Sequence, residues 1–285
     1  MAAPTGDRPR SQFSAIQLVG VAGLVSTATL LGVYGPAIQR RLFSAPPPAP
    51  PAASLGEAEW LRRTYGPEKQ SEQIEEWIIR DFFEDMRGGV FLDVGAFDFR
   101  FHNNTYYLEK TLGWSGLAVE PQPQFAEGWR RHRPSSVLAQ YFASDRTGET
   151  VSLHVSDGHP LVASVARAFT ERWGRSTVRQ VPTITLTNLL DAHHIPRVDF
   201  ASIDVELAEP RVLAGFDIGR FRPSLVCIEA HPEVRQQILD YFATREYVVV
   251  GKYLRIDEKN MYFMPTGHSV RPWPPEVMRT WTDTH

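Results

Sequence analysis

The sequence predicts an α/β domain joined to an N-terminal membrane segment. Three observations carry that expectation. Short apolar runs alternate with helical runs of about ten residues, the mark of βαβ units. Acids recur just past the ends of those apolar runs. A charge-free apolar stretch and a proline-rich run precede all of them. Right-handed crossovers between parallel strands place the helices on both faces of a mostly parallel sheet.

The bulk numbers bound the alternatives. A chain of 285 residues accommodates one large domain plus appendages. With 42% hydrophobic and 22% charged residues it is neither a disordered nor a collagen-like chain, and not a polytopic membrane protein. A net charge of −3 gives no global attraction to nucleic acid, and no nucleic-acid partner is expected. The single cysteine, Cys227, excludes intramolecular disulfides and cysteine-based zinc sites.

The elements follow in chain order. Residues 1–13 form a tail. No charge occurs between Ser11 and Gln39, and the apolar part, about 16–33, is long enough to cross a bilayer as a helix. A single-pass anchor over 14–36, with the lipid bilayer as its partner, is therefore expected. Arg8 and Arg10 on one side balance Arg40 and Arg41 on the other, so the orientation stays open. A removed targeting segment is the competing reading. Residues 37–56 contain the run Ala45-Pro46-Pro47-Pro48-Ala49-Pro50-Pro51-Ala52-Ala53, a semi-rigid extended spacer. The folded domain then covers 57–285.

Within that domain, Ile74, Trp77, Ile78, Phe82 and Phe83 recur at helical spacing inside 57–86. Val90-Phe91-Leu92-Asp93-Val94 reads as a buried parallel strand. Helix follows over 104–112, strand over 117–119, helix over 121–131 and strand over 137–142. Residues 144–180 read as irregular. Strand is predicted over 181–186, 199–203 and 224–228, and helix over 187–193, 209–214 and 233–244. Residues 247–250 and 261–264 close the pattern as a hairpin.

In such sheets ligands sit at the carboxyl ends of the strands, where strand order reverses. The first strand runs into Asp93-Val94-Gly95-Ala96, a turn whose small residues let a cofactor approach the backbone. The second ends at Glu120, placed to accept hydrogen bonds from a ribose diol. The third leads to Ser144-Asp145, where an adenine edge could be held. A later strand ends at Asp204-Val205-Glu206. The Gly-x-Gly-x-x-Gly fingerprint of nicotinamide enzymes is absent after the first strand. So are the Gly-x-Ser-x-Gly elbow and the phosphate-loop lysine motif.

Over roughly 88–265 the chain resembles the FkbM-type methyltransferase family. The resembling stretches begin with Phe91-Leu92-Asp93-Val94-Gly95-Ala96, Asn104-Thr105-Tyr106-Tyr107-Leu108-Glu109-Lys110 and the run from Leu112 to Pro121. They continue with Val181-Pro182-Thr183-Ile184-Thr185-Leu186 and Asp199-Phe200-Ala201-Ser202-Ile203-Asp204-Val205-Glu206. Val212-Leu213-Ala214-Gly215-Phe216-Asp217, Arg222-Pro223 and Ile228-Glu229 complete them. The resemblance implies a Rossmann-like seven-strand methyltransferase sheet, S-adenosylmethionine as cofactor, and O-methylation of a hydroxyl on a sugar, glycan or related small molecule. It implies that Asp93, Gly95 and Ala96 form the cofactor turn, Glu120 binds the ribose and Asp145 faces the adenine. It also implies that Asp204 and Glu206 stand beside the methionine part and the acceptor. Two positions depart from the family pattern, which has glycine where this chain has Phe99 and Leu207. With Arg100, Phe101 and His102 they predict a crowded turn, and a catalytically inactive, membrane-tethered binding module is the alternative.

A hydroxyl acceptor benefits from a general base. Asp204 is the first candidate; His231 and Glu229, after the neighbouring strand, are the others. Asp204, Glu206, Glu229 and His231 also suit a divalent ion, but their spacing matches no recognised metal motif, and no metal ligand is assigned. Asn103-Asn104-Thr105 fits the N-glycosylation pattern yet lies inside the predicted site, so it is read as structural. Trp273 and Trp281 are candidates to line an acceptor pocket.

Overall fold

The alternation of side chains along the strands decides the layering. In the first strand Leu92 and Val94 join one apolar layer while Phe91 joins the other. Leu225 and Cys227 alternate with Val226 and Ile228 in the same way. A strand buried on both faces needs a helical layer on each, as the continuous apolar runs require. The computed structural model describes residues 56–159 and 161–278. The predicted tail (1–13), the membrane segment (14–36), nearly all of the linker (37–56) and Trp281 lie outside them. Among the described residues no helix is long and apolar enough to cross a membrane.

Helices α1 (Glu57–Tyr65) and α2 (Glu75–Phe83) precede the sheet. The sequence reads as one helix here, but Gly66, at φ +90°, and Pro67 break it. Next come β1 (Val90–Val94), α3 (Tyr106–Lys110), β2 (Ser115–Val119), α4 (Ala126–His132) and β3 (Ser136–Ala139). The stretch read as irregular is a sheet: β4 (Phe142–Ala143), β5 (Thr150–Ser156) and β6 (Ala163–Ser164), then α5 (Arg167–Thr170) and β7 (Ser176–Ile184). The chain continues through α6 (Leu186–Ala192), β8 (Phe200–Ile203), α7 (Glu209–Ala214), α8 (Ile218–Phe221) and β9 (Leu225–Glu229). It ends with α9 (Arg235–Ala243), β10 (Tyr247–Val249), β11 (Asn260–Pro265) and α10 (Pro275–Met278).

The main sheet has seven strands in the order β10-β11-β9-β8-β1-β2-β3. β11 runs antiparallel to both its neighbours, and the other pairings are parallel. The predicted hairpin pairs as expected, but β11 inserts between β9 and β10. Strand order reverses between β1 and β8, so the crevice for a ligand opens at their carboxyl ends. The second sheet, β4-β7-β5-β6, puts Leu153, Val155, Val181 and Ile184 into the apolar layer that covers one face of the first. Trp273 is buried against Trp60 and Tyr253, at 5.7 and 6.3 Å between ring centres. It packs the core and does not line an acceptor pocket.

Candidate active site

Gly95 ties three strand ends together. Its φ is +80°, and its N–H donates to the Val119 carbonyl at 2.9 Å. The Asp204 N–H donates to the Val94 carbonyl at 2.9 Å. A Cβ on Gly95 would lie 1.8 Å from the Asp204 carbonyl oxygen. Only glycine meets both the backbone angle and this contact. Beyond the turn, the Phe97 N–H donates to Glu120 Oε2 at 3.0 Å, and the Gln122 N–H donates to Glu120 Oε1 at 2.8 Å. Glu120 is thus held by two backbone donors at the carboxyl end of β2. Burial pushes its carboxyl up to about 7, against the pull of those two donors.

A cavity opens over this turn. Its walls include Gly95, Phe97, Glu120, Tyr141, Phe142, Asp204 and Glu206. Gly95, Glu120, Asp204 and Glu206 are therefore brought together as the sequence suggests. Asp93 is not among the wall residues. It shares the Phe91 face of β1, where Thr105 Oγ1 donates to it at 2.7 Å and Asn103 Nδ2 at 3.2 Å. Asn103 is itself buried, which fits the structural reading of the glycosylation pattern. Arg133, fully buried, clamps this segment through Glu109 (2.6 Å), the Phe99 carbonyl and Thr105. Asp93 and Arg133 position the turn from behind. Ala96 packs on Ala118 and Trp129 and contributes its N–H to Val119.

Asp145 stands outside the cavity, with Arg211 Nε donating to it at 2.7 Å. The ion pair holds its carboxyl below the usual range, with Arg211 the leading cause. The reason for the displacement is local. β3 stops at Ala139, and the chain reaches the cavity with Tyr141, Phe142 and Ala143 before Ser144 and Asp145 leave it. The adenine-facing role expected of Asp145 has no support in this placement.

The two departures from the family pattern have different outcomes. The Phe99 ring stacks on His132, 4.5 Å between centres and 20° between planes. It fills the space a Cβ on Gly128 would take, at 2.6 Å. The crowding expected of Phe99 is thus absorbed by α4, outside the cavity. Leu207 does sit at φ +76°, following Glu206 at φ +54°. That left-handed backbone costs a non-glycine residue about 1–2 kcal/mol.

The far end of the cavity is acidic. Asp204 lines the cavity and is exposed to it. Desolvation by the protein around its base raises its carboxyl well above the usual range, and the neighbouring Glu229, Glu206 and Glu209 raise it further. Burial and Glu229 push Glu206 up to about 7, with His231 opposing. Glu209 caps the chain by accepting from the Val205 N–H at 3.1 Å, and burial pushes it up to about 7. Glu229 and His231 stand behind Glu206. His231 Nε2 is 3.0 Å from Glu229 Oε2 and 3.4 Å from Glu206 Oε2. The Glu229 carboxylate leads in raising the imidazole to about 9, although burial opposes it. Lys259 lines the cavity, 3.1 Å from Glu72 and 3.9 Å from Glu229.

Sequence reasoning missed Phe97, Tyr141, Glu209 and Lys259. Lys259 was accessible in principle. A strand running antiparallel to its parallel neighbours begins at the edge where they end, so the residues opening the last strand reach the site.

The chain matches the methyltransferase FkbM domain over residues 93–249. No curated protein matches it at a significant level. Among solved structures it is similar to a TehB-like SAM-dependent methyltransferase from Corynebacterium glutamicum. The identity is 12%, 73% of this chain and 94% of that one are covered, and the TM-score is 0.40. It is also similar to precorrin-6y C5,15-methyltransferase from Geobacter metallireducens, at 12% identity, with 69% and 90% covered and a TM-score of 0.38. TM-scores of this size mark distant likeness, and the assignment rests on the domain match, which spans more than half of the sequence. The chain belongs to the FkbM methyltransferase family.

Proposed function

We propose that this protein transfers a methyl group from S-adenosylmethionine to a hydroxyl of a sugar, glycan or related small molecule, and that residues 14–36 tether it to a bilayer. The observation that carries the reading is Glu120. Each of its oxygens accepts one backbone N–H, which fixes the carboxylate at the cavity wall above the Gly95 turn. Carboxylate oxygens have further lone pairs, and a vicinal diol supplies two donors. The remaining walls fit the rest of the cofactor. Phe97, Tyr141 and Phe142 offer apolar surface for a flat base, and Asp204 and Glu206 offer negative charge to a cationic sulfur.

When bound, that cofactor supplies an electrophilic methyl on a positively charged sulfur. The chain's own residues orient the acceptor, exclude water and take a proton. Asp204 is the base this reading favours, because it opens onto the cavity and a carboxylate with a raised pKa takes up a proton more readily than an ordinary one. His102 belongs both to the cavity wall and to the adjoining groove formed with Pro67, Arg100 and Phe101. Phe101 is 60% exposed there, an aromatic face suited to a sugar ring. The Phe99 ring, stacked on α4 outside the cavity, supports this reading over an inactive module.

The test is calorimetry of the full-length protein in detergent with S-adenosylmethionine, followed by labelled methyl transfer to a panel of oligosaccharides. Saturable binding weakened at least tenfold by Glu120→Ala fits the reading, since loss of a paired diol contact is worth more than about 1.4 kcal/mol. Absence of binding at millimolar cofactor favours the inactive module. The tether is tested separately: carbonate-resistant sedimentation with membranes should vanish when residues 14–36 are deleted.

A further inference from the structure

We propose that Glu206, Glu229 and His231 form a binding site for a first-row divalent cation at the acidic end of the cavity. One ligand atom from each lies within 4.8 Å of the others. Glu229 Oε2 and Glu206 Oε2 are 3.0 and 3.4 Å from His231 Nε2. A cation held at roughly 2.0–2.2 Å from each donor needs donors about 3–4 Å apart, so little movement is required. The spacing follows from the sheet. β8 and β9 are parallel neighbours in register, Ile203 opposite Ile228, and their ends carry the groups into one cluster.

A second observation points the same way. Glu229 is 3% exposed, and among the described residues no hydrogen bond satisfies its Oε2, which is aimed at His231. The imidazole 3.0 Å away meets that oxygen as an ion-pair partner without an aligned hydrogen bond, so the oxygen keeps lone-pair capacity for a cation. Glu209 Oε2, fully buried in the same group of acids, is likewise without a hydrogen bond. The charge is unbalanced as well. Asp204, Glu206, Glu209 and Glu229 face His231 and Lys259, and Lys259 already serves Glu72. A divalent ion supplies charge where the chain lacks it.

Two carboxylates and one imidazole suit Mn2+, Fe2+ or Zn2+ better than Mg2+, which favours an all-oxygen shell. Three protein ligands leave coordination positions open, as in catalytic rather than structural sites. Glu206 belongs to the cavity wall, so the site borders the space for an acceptor. There a bound cation would hold an acceptor hydroxyl and lower its pKa. This role rests on the methyl-transfer reading; the cation site itself does not. With His231 as a ligand, Asp204 keeps the role of base.

The probe is Mn2+. Chelator-stripped full-length protein in detergent is titrated with Mn2+, and the free ion is followed by electron paramagnetic resonance. The expected result is saturable uptake of about one ion per chain, with affinity lowered at least tenfold by Glu206→Gln and by His231→Ala. Asp145→Asn, an acid outside the cavity, should leave uptake unchanged. A readout without mutation accompanies these: the spectrum of the bound ion should carry coupling to one imidazole nitrogen. Absence of saturable uptake, absence of nitrogen coupling, or equal uptake in His231→Ala overturns the proposal and leaves a simple ion triad. Calorimetry with S-adenosylmethionine on the same sample reports on the cofactor site alone, so failure of either reading is recognised independently.

Discussion

Replacing Gly95 with alanine tests the claim that this residue fastens three strand ends. Two costs are separable. The backbone at φ +80° penalises any residue with a Cβ by about 1–2 kcal/mol. The new methyl would also stand 1.8 Å from the Asp204 carbonyl oxygen, so the ends of β1 and β8 must part. Forcing a group into packed backbone costs a further 1–3 kcal/mol or so. The sum, about 2–5 kcal/mol, corresponds to a fall in melting temperature of roughly 5–20 °C for a domain of this size. Gly148 supplies the control. Its φ is +85°, yet nothing lies within 4 Å of a Cβ there. Gly148→Ala therefore carries the backbone cost alone, and the gain from stiffening the unfolded chain is common to both variants. Thermal melting of the full-length protein in detergent should show the larger loss for Gly95→Ala. Equal losses in the two variants would refute the fastening argument, because the contact with Asp204 would then cost nothing.

Arg133→Met should destabilise the protein by about 3–5 kcal/mol in denaturant titrations, because Glu109 is left buried without its partner. Glu120 makes stability depend on pH. Its folded pKa, about 7 against 4.5, favours the protonated form, so its contribution is present below pH 4.5 and is lost as pH rises through 7. The stability of Glu120→Gln relative to the native chain should accordingly rise by about 3 kcal/mol between pH 4.5 and 7.5. A difference that stays flat in pH would remove the buried-carboxyl account. Phe99→Ala should lower stability by about 1–3 kcal/mol, through lost stacking on His132, while leaving S-adenosylmethionine affinity within about twofold. A tenfold gain in affinity would mean that the ring obstructs the cavity after all.

Much of the sheet was legible because its strands are short, apolar and buried on both faces. β1, β8 and β9 could be read from Val90-Phe91-Leu92, Phe200-Ala201-Ser202 and Val226-Cys227-Ile228 with few errors at their ends. The second sheet was not, because the first half of β7 is largely exposed, β5 is only partly buried, and both are interleaved with polar residues such as Ser152, His154, Arg179 and Gln180. Their pairing with each other, from Thr150 opposite Pro182 to Ser156 opposite Ser176, is a tertiary fact that periodicity does not show. That same gap moved the adenine assignment to Asp145, because the break between β3 and β4 was hidden within one apolar run. Glu120 and Asp204 were found because an acid ending a parallel strand points to the crevice whatever the rest of the chain does. Phe99 misled for a simple reason. A bulky residue in place of glycine signals crowding only if its volume stays local, and here Gly128, far along the sequence, receives it.

The reversed strand β11 has a consequence for how the molecule comes into being. Lys259 and Asn260, which open it, are delivered to the cavity wall only after the region matched to the family has ended at 249. On a ribosome the nascent domain would therefore lack part of the cavity wall while β9 still had an open edge and Glu229 awaited its lysine. The cavity wall is completed by residues beyond the family match, and any shortened product ending near 250 would carry the family signature without a finished pocket.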